Sequence, residues 1–343
     1  MTDDLLLTDS EEGEDLYEHF KFFVDKGQEM VRIDKYLLDR MPNTSRNKIQ
    51  IATRNGNVVV NGQKVKQNYK VKPQDEVAIV LPYPIREIEL IPQNIQLNIV
   101  YEDEDIIVVN KPSNMVVHPG YGNYSGTLVN ALIYHFDQLG NRNPGVVRPG
   151  LVHRIDKHTT GILVVAKNDD SLSHLAQQFY ERATERKYIA LVWGDLESNG
   201  TITGNLGRSS KNRKIMTVYP DGSGGKHAVT HYKVLKRFGY VTLVECKLET
   251  GRTHQIRVHM KYIGHPLFND LEYGGNLILK GTVNSSYEKF IQNCFSLIDG
   301  QALHAKSLCF IHPQTKDWVK FESELPTGFK SIIQKWESYI GAK

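Results

Sequence analysis

The chain has 343 residues, with 42 Lys+Arg against 39 Asp+Glu for a formal charge of +3, and is 40% hydrophobic and 24% charged, the composition of a globular protein rather than a disordered or fibrous one. No apolar run approaches the roughly 20 residues of a membrane span, and the acidic N-terminus lacks the basic-then-apolar plan of a signal peptide. Three scattered cysteines (Cys246, Cys294, Cys309) offer neither a disulfide framework nor a metal knuckle. The expectation is a reduced, cytoplasmic protein of two or three domains with no membrane partner. Residues 1–18 hold eight acids and no Lys or Arg, which leaves +11 over residues 19–343. A basic body suits a polyanionic partner, although a solvated surface with an acidic tail fits the charge equally well.

Residues 1–30 are acidic and weakly patterned, and their first half is expected to be disordered. Residues 31–82 carry ten Lys/Arg and four acids. Ile33, Tyr36, Leu37 and Arg40 sit at helical spacing, and Ser45 is placed to cap a second helix, Arg46 to Arg54. That helix turns Ile49 and Ala52 inward and projects Arg46, Lys48 and Arg54. Val58-Val59-Val60, the turn Asn61-Gly62 and Lys64-Val65 then read as a hairpin. Two helices and a hairpin with clustered Lys/Arg make a surface suited to phosphate contacts through Arg46, Lys48, Arg54 and Lys64; a basic face on a protein-docking domain is the alternative. The run from Arg32-Ile-Asp-Lys-Tyr-Leu37 through Ser45-Arg46 to Asn55-Gly-Asn-Val-Val-Val-Asn-Gly-Gln-Lys-Val65 resembles the S4 RNA-binding domain, which favours RNA.

Residues 83–95, with Pro84 and Pro92 just beyond Pro82, read as a linker. Residues 96–340 read as one large domain. Asp105–Val109 and Gly161–Ala166 are apolar runs suited to buried strands. Leu172, Leu175, Ala176 and Phe179 mark a helix capped at Asp169 or Asp170. Strands are expected at Tyr188–Trp193, Ala228–Leu235 and Val241–Leu248, and a helix from Thr253 to Ile263, stopped by Gly264, with Ile256, Met260 and Ile263 inward and Arg257 and Lys261 on another face. Gly222-Ser-Gly-Gly-Lys226 reads as flexible linkage. Strands and helices without strict alternation indicate an α+β fold with a mixed, largely antiparallel sheet.

Two stretches are dense in reactive side chains. Gly150-Leu-Val-His-Arg-Ile-Asp-Lys-His-Thr-Thr-Gly161 crowds His153, Arg154, Asp156, Lys157 and Thr159 before an apolar strand. Asp156 is suited to attack a sugar anomeric carbon, or else to cap a turn and pair with Arg154 or Lys157. Leu248-Glu-Thr-Gly-Arg-Thr-His-Gln-Ile-Arg-Val-His259 gathers Arg252, His254, Arg257 and His259 at a helix start, where a guanidinium can keep a nearby carboxylate ionised. The histidine spacing suits no metal. Lys111 either lines the site or ends a strand.

Together these stretches resemble the RluA/RluD-type pseudouridine synthase family, in company with Asn110-Lys-Pro-Ser-Asn-Met-Val-Val-His-Pro-Gly120, Arg186-Lys-Tyr-Ile-Ala190, Gly264-His-Pro-Leu-Phe-Asn-Asp270 and Leu303-His-Ala-Lys-Ser-Leu-Cys-Phe-Ile-His-Pro313. The resemblance implies the pseudouridine synthase fold behind an S4-like domain. Asp156 would be the catalytic aspartate and Arg257 its partner. Arg154 would help hold RNA with its target base extruded. Tyr188 would pack on the uracil and act as, or assist, the base that takes the C5 proton. Ile155, Thr160 and Asn269 depart from the family's usual Leu, Ser and Gly, and Asn269 puts the turn before Asp270 in question. The implied reaction, uridine to pseudouridine, has Asp156 act at C1′ or on the C2′ proton and needs no cofactor. The expected partner is large-subunit ribosomal RNA, with tRNA the alternative substrate and a non-catalytic ribosome-assembly factor the alternative class; a monomer is assumed.

Overall fold

The computed structural model describes residues 17–41, 44, 46–81, 90–120, 122–139, 149–210, 212, 215–282 and 284–341. It divides the chain into two units, Met1–Ile88 and Glu89–Lys343. The expectations for residues 1–16, the Ser45 cap, the Lys48 side chain and residues 83–89 lie outside the described residues.

In the first unit the elements run β1 (Tyr17–Phe23), α1 (Ile33–Arg40), α2 (Arg46–Arg54), β2 (Val58–Val60), β3 (Gln63–Lys64) and β4 (Glu76–Leu81), with an antiparallel sheet in the order β1-β4-β2-β3. β1 comes from the weakly patterned acidic segment and pairs Phe22 with Val77. The apolar positions at helical spacing are buried: Ile33, Tyr36 and Leu37 from α1, and Ile49 from α2. Asn61 and Gly62 take φ of 51° and 78°, the two positive values a tight two-residue hairpin requires.

Beneath this surface lies Asp34, whose side chain is fully buried and accepts hydrogen bonds from Arg32, Arg46 and Gln50 at 3.1, 3.1 and 2.9 Å. Burial opposes its charge, but these donors outweigh burial and hold its pKa down to about 2. Arg46 therefore does not simply project outward; it binds Asp34 while its side chain stays half exposed.

In the second unit β5 (Ile99–Glu102) and β6 (Ile106–Lys111) lead to α3 (Leu128–Gln138), then β7 (Gly150–Leu151), β8 (Thr160–Ala166), α4 (Asp169–Glu181) and β9 (Glu185–Trp193). β10 (Gly200–Arg208), β11 (Met216–Tyr219), β12 (Lys226–Arg237) and β13 (Val241–Leu248) precede α5 (Gln255–Tyr262) and α6 (Ser285–Phe295). β14 (Leu303–Ile311), β15 (Trp318–Glu322) and α7 (Thr327–Gly341) complete it. The large sheet is ordered β11-β10-β12-β13-β9-β14-β8-β6-β5, with β15 on β14 and β7 on β8; only β14 and β8 pair in parallel among the described strands.

Both faces of the central strands are covered. Val109, Leu163, Tyr188 and Val244 pack with Leu128 of α3 and with Ile256 and Met260 of α5. On the other face Val164 packs with Leu175 of α4, while Trp193 packs with Ile291 of α6 and Trp336 of α7. This explains why β8 reads as an unbroken apolar run rather than an alternating one.

Local expectations are revised at several points. The α4 cap is Asn168, whose side chain accepts from Ser171 N–H at 2.8 Å, not Asp169 or Asp170. Gly222 to Gly225 lie in the connection between β11 and β12, with Lys226 opening β12, and a Cβ on Gly225 (φ +75°) would fall 2.4 Å from the Leu206 backbone, so this glycine is required by a close approach rather than by flexibility. The last residues of the expected linker are anchored, since Gln93 donates N–H to Asn130 carbonyl and accepts from Gly126 N–H.

Asp34 supplies a pH test of the first unit. Because its pKa is lower folded than unfolded, its stabilisation is present above about pH 4 and is lost as pH falls towards about 2, on the order of 2 kcal/mol. Amide exchange in α1 and α2 should accelerate across that window in the wild type, and Asp34→Asn should remove the dependence.

Candidate active site

The loop between β7 and β8 carries the first dense stretch and is tied down from several directions. Thr159 N–H donates to the Asp156 carbonyl at 3.1 Å, and Ser113 Oγ donates to the His158 carbonyl at 3.3 Å. Gln301 donates to Thr159 Oγ1 at 3.1 Å. Lys111 Nζ donates to the carbonyls of Pro112, Met115 and Lys157 at 2.8, 2.8 and 3.0 Å. Burial draws the Lys111 pKa down to about 7 against the pull of Asp156, while three carbonyl acceptors match the three donors of its ammonium form. At 1% exposure, Lys111 is a tether within the scaffold and has no donor left to offer RNA.

The motif's last residue, Gly161, sits where β14 comes alongside in parallel. Its φ is +112°, and a Cβ there would fall 2.2 Å from the Ala305 carbonyl oxygen. Ile155 is buried in the core, a place where exchange with the family's Leu nearly conserves volume. Thr160 Oγ1 meets His304 Nδ1 at 2.8 Å, a contact that any hydroxyl can make.

The second dense stretch enters α5 later than its pattern predicts. His254 is in the left-handed region (φ 56°), and the helix starts at Gln255. Gln255 Oε1 accepts from Thr250 Oγ1 and Arg252 N–H, while Nε2 donates to the Val229 carbonyl. This locks the loop before the helix onto β12. Arg257 lies on a face of α5 that is buried there, with its side chain 5% exposed. It binds Asp270 through Nε and Nη2 at 2.7 and 2.8 Å, reaches Asp156 Oδ2 through Nη1 at 3.2 Å, and meets Glu272 at 2.5 Å. Burial disfavours its charge, but Asp270, then Asp156 and Glu272, raise its pKa above the ordinary value.

Asp156 Oδ1 lies 3.8 Å from His254 Nε2, and His254 Nδ1 meets the Tyr273 hydroxyl at 2.8 Å. Burial lowers the His254 pKa against the pull of Asp156. Tyr188 comes from β9 and is 8% exposed; burial raises its pKa and so keeps the phenol protonated.

These residues surround a cavity of about 490 Å³ lined by His153, Arg154, Asp156, Thr159, Tyr188, Arg252, His254 and Arg257, with Phe179, Tyr180, Arg182 and Arg186 among the rest. Two expected RNA contacts have structural duties instead. His153 Nε2 accepts from Val164 N–H at 3.1 Å, its ring stacks on Phe179, and burial, aided by the Arg186 charge, pushes its pKa down to about 3. Thr159 is buried and holds the loop. Arg252 donates to the His227 carbonyl at 3.2 Å. The other unit has its own basic cleft, lined by Arg32, Arg54, Lys64 and Lys66.

Sequence reasoning missed Asp270, Glu272 and Arg186. Asp270 closes the block Gly264–Asp270, whose match was a usable signal. Asn269, the doubtful departure, takes φ 62° and donates to the carbonyls of Phe295 and Ile298. Asn tolerates that conformation nearly as Gly does and adds two hydrogen bonds.

A carboxylate held by a buried arginine and opening into a cavity with four further arginines defines an enzyme-like site for a polyanionic substrate. Residues 105–262 match the model of the RNA pseudouridylate synthase family and residues 31–77 that of the S4 domain. An RNA pseudouridine synthase of Bacillus subtilis, YlyB, is 47% identical over 90% of this chain and 94% of its own. A ribosomal large subunit pseudouridine synthase D of Zymomonas mobilis is 44% identical over 78% of this chain and 80% of its own. The solved human RNA pseudouridylate synthase domain containing 4 superposes with a TM-score of 0.57 at 25% identity, covering 70% of this chain and 93% of that one. The chain belongs to the RNA pseudouridine synthases, isomerases that act on RNA.

The burial of Arg257 makes its main carboxylate testable. Asp270→Asn should cost about 3–5 kcal/mol by leaving a buried guanidinium short of charge, read as a lower urea midpoint with an unchanged slope.

Proposed function

We propose that this enzyme converts uridine to pseudouridine in large-subunit ribosomal RNA, with Asp156 as its catalytic carboxylate. The observation that carries the reading is the placement of Asp156: one oxygen is engaged by Arg257, and the side chain opens into the cavity beside Tyr188. The ribosomal substrate is supported by relatives named ribosomal large subunit pseudouridine synthase D at 40–44% identity. The basic cleft of the S4 unit would anchor the RNA.

The target uridine leaves its stack at a cost of a few kcal/mol. Stacking on Tyr188 returns part of that, roughly 1–3 kcal/mol per base. Arg257 holds one oxygen of Asp156, and the carboxylate so oriented acts at C1′ or on the C2′ proton as the C1′–N1 bond breaks. The freed uracil turns and rebonds through C5, and loss of the C5 proton completes the product. The protonated Tyr188 phenol suits packing and hydrogen bonding, assisting that last transfer rather than starting it as a phenolate.

Release of tritium from C5-labelled uridine in unmodified ribosomal RNA tests the assignment. Asp156→Asn should lower the rate at least about 100-fold, with RNA affinity within a few-fold of wild type; undiminished release would sink the role of Asp156. Mapping pseudouridines in a deletion strain should show losses in large-subunit RNA, whereas losses confined to tRNA would overturn the substrate. Arg54→Glu with Lys64→Glu should weaken RNA binding about tenfold and flatten its salt dependence.

A further inference from the structure

Arg186 stands two residues before Tyr188 on β9, so both side chains leave the same face of the sheet and enter the cavity. It is 8% exposed, its Nε is buried without a hydrogen-bond partner, and no carboxylate pairs with it among the described residues. Arg257, by contrast, is paired with three carboxylates.

The guanidinium is nevertheless held in place. It stands 5.6 Å from the centroid of the Phe179 ring, which stacks on His153 at 4.6 Å. On another side lies Gly251, where an added Cβ would fall 2.7 Å from Arg186 Nη1. Aromatic support and a glycine that clears space make a built seat for a cation.

A buried charge without a counter-charge is costly unless a ligand supplies one. Among the described residues Asp156 is the one acid lining the cavity, and Arg257 already holds it, while Arg154, Arg182 and Arg252 add positive charge around it. Uracil and ribose are neutral. The anion that an RNA strand brings is the phosphodiester.

We propose that Arg186 binds a backbone phosphate of the RNA next to the uridine being isomerised, seating that nucleotide in the cavity. The inference rests on the reading of this cavity as the active site. A charge-assisted contact of this kind adds affinity and contributes one counterion to the salt dependence of binding.

The test uses the full chain and an unmodified large-subunit ribosomal RNA transcript labelled with C5-tritiated uridine, with binding measured between about 50 and 200 mM salt. Arg186→Gln should weaken binding about tenfold and reduce the slope of log affinity against log salt by about one, while Arg186→Lys keeps the slope. An unchanged slope in a folded Arg186→Gln overturns the proposal, whatever happens to turnover. If Arg186→Gln does not fold, Gly251→Ala decides: it keeps the charge but displaces the guanidinium, so weaker binding supports the contact and wild-type binding overturns it. Asp156→Asn separates the two readings. Tritium release by that variant sinks the active-site reading alone, and an inactive Asp156→Asn beside a full-slope Arg186→Gln sinks the phosphate contact alone.

Discussion

Everything at the candidate site hangs on the guanidinium of Arg257. It joins three pieces of chain: its own helix α5, the loop that carries Asp270 and Glu272, and the loop that carries Asp156, 101 residues away in sequence. Burying this charge is unfavourable in itself. The bidentate pair with Asp270, whose side chain is fully buried, offsets the loss of water with matched geometry as well as opposite charge. Nη1 is then left to donate to Asp156, so the carboxylate is oriented by a buried group that keeps its proton. A lysine would supply the charge but not the fork.

The sheet makes that precision possible. Its central strands are covered on both faces, so the loops at their ends grow from a rigid platform. Gly161 lets β14 lie against β8 in parallel, and Lys111, buried beneath the loop, gathers the carbonyls of Pro112, Met115 and Lys157. The geometry of the candidate site is thus supported by residues that do not line the cavity. Conversely, His153 and Thr159 line it yet bond the scaffold through Nε2 and Oγ1.

Much of this was legible beforehand, for physical reasons that differ by element. α1, α2 and the β2–β3 hairpin follow from helical spacing and an Asn-Gly turn, signals that act over a few residues. β6 and β8 announce themselves as apolar runs bounded by polar residues. The start of α5 was misplaced because His254 adopts a left-handed conformation imposed by its contacts, which no propensity foretells. Helical spacing sets Arg257 apart from the apolar face, and only its pairing with Asp270 and Asp156 in the fold shows that it is buried.

The sequence by itself determined the two-part organisation's main features, the α+β class and the family, because periodicity, turn residues and the two dense motifs are local and survive in one dimension. It also singled out Asp156, Tyr188 and Arg257. Tertiary structure alone decided what those residues do to one another: that Asp270 and Glu272 share Arg257 with Asp156, that Lys111 is a tether, and that Arg186 has no carboxylate partner among the described residues. Partnership between charges depends on distance and on exclusion of water, and both are set by packing between segments a hundred residues apart.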